Sequence, residues 1–142
     1  MFRKLLVAAG AAGLALAATP ASAATTTVTC GYSGLQSGLQ TKVCAEVTGD
    51  QVQLYGQISL AGPPSPGTQL QPKDLIVNLA GEIVGGASLG SVQGYRTFTA
   101  STIQVRGVGG TVPCGATVHA SFSVSSYPWF NTPVTLDLPI AC

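Results

Sequence analysis

One histidine, five acidic residues and four cysteines are the side chains of this 142-residue sequence that most readily do chemistry. A serine-hydrolase triad needs a histidine between a serine and an acid, and its nucleophile often lies in a Gly-x-Ser-x-Gly turn. The histidine is His119, and the segment Gly31-Tyr32-Ser33-Gly34 lacks that spacing. We therefore predict no nucleophilic active site and expect His119 to be an exposed imidazole on the polar face of a strand.

The acidic residues do not form a recognisable pair either. A glycosidase uses two carboxyl groups roughly 5 to 9 Å apart, and no spacing singles out such a pair. Asp50 is predicted in a turn, Asp137 alternates outward on the last strand, and Lys73-Asp74 is typical of a strand entry. A zinc site needs two or three converging imidazole or carboxylate ligands. We therefore expect a non-enzymatic protein without a metal or another cofactor.

The first 23 residues have the three parts of a secretory signal. Arg3 and Lys4 form a cationic start, an Ala- and Leu-rich run follows, and Ala21-Ser22-Ala23 is a small-x-small cleavage site. The apolar run has about 14 residues, fewer than the roughly 20 that span a bilayer. We therefore expect residues 1–23 to be a cleaved signal peptide, residues 24–142 to be a single domain, and the product to be secreted, without a membrane anchor.

Export favours disulfides, because secreted proteins fold under oxidising conditions. A four-thiolate zinc site usually contains close pairs such as Cys-x-x-Cys, and the sequence has none. Four cysteines allow three pairings. The last third of the chain helps to choose among them, because two alternating segments flank Pro128 there.

If these two segments pair antiparallel about Pro128, Phe122 meets Val134, and three further apolar pairs align. The same register places Cys114 opposite Cys142, and a buried face fixes the register of a strand pair. We therefore predict the disulfide Cys114–Cys142, which leaves Cys30–Cys44 across the first hairpin. The alternation places Cys44 on the polar face of its strand.

Elsewhere the apolar residues recur with a period of two, which is typical of half-buried strands. Residues 51–60 alternate cleanly, and residues 95–106 are predicted as one strand that bends near Ala100. The glycine-rich stretches 81–94 and 107–113 are predicted to be mainly turns. The repeat of Ser-Gly-Leu-Gln at 33–36 and 37–40 predicts a glycine-rich hairpin loop. About seven or eight short strands without a helical pattern predict an antiparallel β-sandwich of the immunoglobulin-like Greek-key type.

The charge of the chain excludes some partners. Without the signal, four basic residues stand against five acidic ones, so the expected net charge is −1. Such a chain has no basic patch for nucleic acid or for an anionic membrane surface. We expect a monomer that interacts with an extracellular protein or glycan.

Two segments are candidate binding elements. Three aromatic side chains lie at the tip of the terminal hairpin, where they could stack on sugars or anchor a protein: Tyr127, Trp129 and Phe130. The alternative is that Trp129 and Phe130 fold back and close the end of the sandwich. A rigid proline-rich loop is the second candidate, since a preorganised loop loses little entropy on docking: Pro63, Pro64, Ser65 and Pro66. Its alternative role is a crossover between the sheets.

An Ala- and Leu-rich signal ending in Ala21-Ser22-Ala23, followed by a Thr- and Gly-rich chain with four cysteines, resembles small secreted proteins of actinobacteria. In size, number of disulfides and expected fold, the chain is also similar to the apoproteins of enediyne chromoproteins. That resemblance implies an immunoglobulin-like sandwich. The cysteine spacing departs from that family, so no ligand-binding residue is carried over.

Three functional hypotheses follow. The first is a non-enzymatic binding protein that uses the aromatic tip. The second is a secreted protease or hydrolase inhibitor that presents the proline-rich loop. The third is a structural cell-surface or spore-associated assembly protein that uses its final strand, since Pro139 indicates an exposed edge.

Overall fold

A computed structural model describes residues 25–64, 66–67, 69–127 and 131–141. These residues form nine strands and contain no helix. The strands are β1 (Thr26–Cys30), β2 (Gly34–Gln36), β3 (Leu39–Thr48), β4 (Gln51–Ser59), β5 (Lys73–Ile83), β6 (Ser88–Phe98), β7 (Ile103–Thr111), β8 (Thr117–Ser125) and β9 (Val134–Pro139).

The strands form two antiparallel sheets that pack face to face. The first sheet has the order β1-β3-β4-β7, with β2 beside β3, and the second has the order β6-β5-β8-β9. Strands β6 and β7 lie against each other although they belong to different sheets, and β8 returns to pair with β5. The resulting order β8-β5-β6-β7 is that of a Greek key. The predicted sandwich is confirmed.

The core lies between the sheets and follows the alternation of the strands. The inward residues in the middle of β5 and along β8 are buried, whereas their outward neighbours are polar or small except for Ile76. Phe122 is the largest fully buried side chain and points from the second sheet at Gly56 of β4. A Cβ atom at Gly56 would overlap the Phe122 ring. Glycine is therefore required at this position to let the two sheets approach.

The predicted register of the terminal hairpin is confirmed. Phe122 pairs with Val134 and Val118 with Leu138, and beyond the ladder the Ile140 N–H donates to the Ala116 carbonyl at 2.8 Å. Cys142 lies outside the described residues, so the Cys114–Cys142 disulfide stays a prediction.

The Cys30–Cys44 disulfide is confirmed, and it joins two residues that are partners in the β1–β3 ladder. Cys44 is fully buried although it alternates with inward-facing residues. Its neighbour across the β3–β4 ladder is Tyr55, which is also buried. The outer face of the first sheet is therefore covered at this point.

The two glycine-rich stretches belong largely to strands, so their prediction as mainly turns is wrong. Strand β5 continues to Ile83 and β6 begins at Ser88, and residues 107–111 are part of β7. The glycines follow from close packing: a Cβ at Gly81 would overlap the Leu54 side chain, and one at Gly109 would overlap the Val52 carbonyl. Glycine within a strand often marks such close approaches.

Residues 95–106 are two strands and not one bent strand. Strand β6 ends at Phe98 and β7 begins at Ile103 in the other sheet. Ala100 lies between them with φ = 79°, a left-handed conformation that reverses the chain. The chain passes from the second sheet to the first at this point. The alternation in the sequence continues through it and does not reveal the change.

The Ser-Gly-Leu-Gln repeat forms a hairpin, as predicted, with its two copies on β2 and β3. Ser37 and Gly38 both have positive φ, as the two central residues of a type I′ turn require. Gln36, in the first copy, is fully buried, whereas Gln40 in the second copy is exposed.

The amide of Gln36 takes the place of a missing strand beside β8. The β8–β9 ladder stops at Phe122, but Gln36 Nε2 donates to the Phe122 carbonyl, and Gln36 Oε1 accepts from the Val124 N–H, both at 3.0 Å. Asn131 Nδ2 donates to the Val124 carbonyl at 2.8 Å. Side chains thus satisfy backbone groups that would otherwise be buried without partners.

Candidate functional site

The outer face of the second sheet is a regular array of side chains, which we call the open face. Ladder partners lie side by side across the strands, in rows about 7 Å apart along each strand. From one end to the other the rows are Ser88–Glu82–His119–Asp137, Ser91–Ala80–Ser121–Thr135, Gln93–Asn78–Ser123, Tyr95–Ile76–Ser125 and Thr97–Asp74. Small and uncharged side chains form the middle of this face, so it is shallow and accessible.

Near one end of the open face, next to the hydrogen-bonded Asp74–Thr97 pair, one row is aromatic and apolar. Tyr95 is 81% exposed and lies beside Ile76, its ladder partner, which is also exposed. Tyr127 follows the end of β8 two residues beyond Ser125, the other partner of Ile76, and is 96% exposed. Two exposed tyrosines therefore flank β5 at this end of the sheet.

The other end of the open face is polar and contains the histidine. His119 Nδ1 and Asp137 Oδ1 are 2.6 Å apart across the β8–β9 ladder, and Glu82 is the partner of His119 on β5. A cavity of about 360 Å³ lies beside them, and its lining residues are Ala80, Gly81, Glu82, Ser88, Gly90, Ser91, His119 and Ser121. His119 is on the outer face, as predicted, but it is held in place by Asp137.

His119 and Asp137 are paired like the histidine and the acid of a catalytic triad. Among the hydrogen bonds of the described residues, none joins a hydroxyl to His119. Within the residues that the structure describes, no group of three or more His, Cys, Asp or Glu side chains could hold a metal ion. The side chains of this row can donate hydrogen bonds to a ligand on the open face and accept hydrogen bonds from it.

A cluster of three side chains covers part of the outer face of the first sheet: Tyr55, Arg106 and Glu46. Tyr55 is 7% exposed, and the Arg106 guanidinium carbon lies 4.5 Å from the centre of its ring. Arg106 also pairs with Glu46 at 2.8 Å. A bulge in the β4–β7 ladder makes this possible, because Arg106 and Gly107 together oppose Tyr55, and bulges redirect side chains in this way.

The ion pair on the first sheet makes stability depend on pH. The hydrogen bond from Arg106, aided by its charge, holds the pKa of Glu46 below its ordinary value. A carboxyl group with a lowered pKa in the folded state stabilises the protein above its unfolded pKa, and this contribution is lost as the pH falls through the folded pKa. The unfolding free energy of the parent protein should therefore fall below about pH 5. In Glu46→Gln, part of this fall should be absent.

Urea unfolding between neutral pH and about pH 3 measures this difference. Because the pair is exposed, the effect is small. Glu82→Gln is the matched control, since Glu82 belongs to no ion pair of the described residues. Equal pH profiles for Glu46→Gln and the parent protein would contradict the expectation.

The structure locates the predicted binding residues only in part. Tyr127 is exposed, and Trp129 and Phe130 lie outside the described residues. In the proline-rich loop, Pro63, Pro64 and Pro66 are exposed and Ser65 lies outside the described residues. The loop connects β4 of the first sheet to β5 of the second, so it is a crossover between the sheets.

The final strand is at an edge, as Pro139 indicated. The edge is partly covered, because Gly31 packs against the Thr135 carbonyl so closely that a Cβ atom there would overlap it. Pro139 itself has no N–H to offer to another strand. Natural proteins block pairing of sheet edges with such features.

Sequence reasoning missed the row at His119, although one signal was present. The register that pairs Phe122 with Val134 also pairs His119 with Asp137. Glu82 was hidden, because it lies in the glycine-rich stretch predicted to be mainly turns. The array as a whole depends on β5 lying between β6 and β8, and no local pattern shows that order.

No family model, curated protein or solved structure matches the chain. The resemblance to the enediyne chromoprotein apoproteins therefore stays a prediction. The Cys30–Cys44 disulfide is compatible with an extracellular protein. In the part of the chain that the structure describes, there is no helix of the length and apolar character needed to cross a membrane.

Proposed function

We propose that the protein is a secreted, non-enzymatic binding protein whose ligand is an extracellular glycan. It binds the glycan through the open face, with Tyr95, Ile76 and Tyr127 as the apolar contact. The observation that carries this proposal is the pair of exposed tyrosines beside a floor of hydroxyl and amide side chains. Secretion is supported by the N-terminal sequence and by the disulfide.

Glycan rings present both apolar C–H faces and hydroxyl groups, and the open face offers partners for both. Tyrosine rings provide large amphipathic surfaces with few rotatable bonds, so little entropy is lost on binding. Serine, asparagine and glutamine side chains donate and accept hydrogen bonds, and they fill the rows next to Tyr95. Because strands carry these groups, they are held more rigidly than groups on loops.

The middle rows also disfavour an anionic ligand. The two rows between Glu82 and Tyr95 contain no charged side chain, and they are made of Ser91, Ala80, Ser121, Thr135, Gln93, Asn78 and Ser123. An anionic polymer would lie here without a basic partner. An anionic polysaccharide is therefore the ligand class that this surface suits least.

The test is binding to insoluble chitin and cellulose, followed by titration with soluble oligosaccharides of the polymer retained. We expect Tyr95→Ala and Tyr127→Ala each to weaken binding about tenfold, as for an aromatic anchor. Tyr32→Ala is the matched control, because Tyr32 is 95% exposed on the β1–β2 connection. Failure to bind any of these glycans, or an equal loss in Tyr32→Ala, would overturn the proposal.

The fluorescence of the single tryptophan gives a second readout. If the aromatic tip takes part in binding, the emission of Trp129 shifts to shorter wavelength when the glycan is added, because the indole leaves water. An emission that stays unchanged at saturation would limit the site to the open face and exclude Trp129 from it.

The two alternatives predict different results. An inhibitor that uses the exposed loop at Pro63 and Pro64 would form a stable complex with an extracellular protease. An assembly protein that uses β9 would show a mass that rises with concentration in light scattering. The covered edge at Thr135 disfavours assembly through that strand.

A further inference from the structure

We infer that the cavity beside His119 is a subsite for an amino sugar, with Glu82 as the acceptor for its ammonium group. The inference rests on the proposed glycan function and names a sugar class for one end of the open face. The contact with Tyr95 and Tyr127 does not depend on this chemistry, so the two proposals can fail separately.

The cavity has the size and lining of a subsite for a small polar group. Its volume of about 360 Å³ is in the range of small-molecule sites. The lining includes the Glu82 carboxylate, the His119 imidazole and hydroxyl groups of three serines. Gly90, also in the lining, has φ = 110° and no side chain to fill the space.

The charge of the lining selects a cation. Glu82 is its charged residue, and no lysine or arginine lines the cavity. Glu82 makes no hydrogen bond or ion pair with another described side chain, so its oxygens are available to a ligand. An ammonium group donates three hydrogen bonds, and bonds between charged partners are stronger than neutral ones.

His119 and the serines suit the rest of a sugar. Because Asp137 engages Nδ1 of His119 at 2.6 Å, the ring is oriented and Nε2 is the nitrogen left for a ligand hydroxyl. Ser88 is the partner of Glu82 on β6, Ser121 lies one row further along β8 than His119, and both line the cavity. A ligand that carries both an ammonium group and several hydroxyl groups matches this set of partners.

The position of the cavity connects it to the aromatic end. The row of Glu82 and the row of Tyr95 are three row spacings apart, which is about 20 Å along β5. A linear oligosaccharide that lies along β5 therefore reaches both ends. We expect the protein to prefer a partly or fully deacetylated chitin chain over the acetylated one.

The experiment compares calorimetric titrations with a glucosamine hexamer and with its N-acetylated counterpart at one pH. We expect the deacetylated hexamer to bind about threefold to fivefold more tightly, the range of an exposed ion pair, and less so in high salt. Glu82→Gln should remove this preference. Asp50→Asn, which removes a carboxylate from the β3–β4 turn on the first sheet, should retain it.

The outcomes separate the two proposals. Binding of both hexamers that depends on Tyr95 but shows no amine preference overturns the subsite and leaves the glycan function. A preference that persists in Glu82→Gln, or that is equally lost in Asp50→Asn, also overturns the subsite. Absence of binding to either hexamer and to neutral polymers overturns both.

Discussion

Gly56→Ala is expected to destabilise the protein by about 3 kcal/mol, at the upper end of the effect of an overpacked core. The new methyl group would overlap three atoms of the Phe122 ring. That ring is fully buried between the sheets, so it cannot move aside without displacing other core residues. Urea unfolding followed by circular dichroism gives the change in unfolding free energy.

A double-mutant cycle tests the cause of this loss. Phe122→Leu is itself destabilising, because it removes buried volume. In the Gly56→Ala background it should cost much less, since the smaller side chain makes room for the methyl group. Gly62→Ala is the control: nothing lies within 4 Å of a Cβ there. Additive effects of the two core substitutions would contradict the proposed overlap.

Gln36→Ala is the second substitution with a large expected effect, also about 3 kcal/mol. It would leave the Val124 N–H without its partner and take one donor from the Phe122 carbonyl. The hydroxyl of Thr41, to which Gln36 Nε2 also donates at 2.8 Å, would lose that bond. Each buried polar group left without a partner costs about 1–3 kcal/mol, and a cavity adds to the loss.

The repeat in the sequence provides a matched control for Gln36→Ala. Gln40 occupies the equivalent position in the second Ser-Gly-Leu-Gln copy, but its side chain is exposed. Gln40→Ala should therefore change the unfolding free energy by less than about 0.5 kcal/mol. Similar losses for the two substitutions would show that the hairpin, and not the buried amide, determines the effect.

The parts of the fold that were predictable depend on alternation between neighbouring segments. The β8–β9 register followed from matching apolar residues about Pro128, because a slip by one residue would turn every side chain to the other face. The Cys30–Cys44 disulfide followed once the other pair was assigned. In both cases the partners are close in the sequence.

The parts that were not predictable depend on contacts across the sandwich. Gly81 and Gly109 indicate turns when considered alone, but they are strand residues because Leu54 and the Val52 carbonyl occupy the space beside them. Tyr55 belongs to a polar face by alternation, yet Arg106 covers it through a bulge. The Gln36 amide is buried beside β8 because the β8–β9 ladder stops at Phe122. Strand β9 is distant from Gln36 in the sequence.

Tyr127, at the edge of the candidate site, was the one part of the site that could be predicted from the sequence. Tyr127 stood out because aromatic residues cluster near it in the sequence. Tyr95, Ile76 and Glu82 gave no local signal, since their neighbours on the open face come from strands that are distant in the sequence. Strand order brings these residues together, and single-strand periodicity contains no information about strand order.

The four strands under the open face extend from Lys73 to Pro139, with β7 of the opposite sheet inserted between them in chain order. The proposed glycan contact therefore requires this whole stretch to have reached its native arrangement. A ligand that binds the native form alone raises the free energy of unfolding, and the increase grows with the logarithm of the ligand concentration relative to its dissociation constant. A column of immobilised polymer would then retain native chains and let misfolded ones pass, so retention itself would serve as an assay of correct folding.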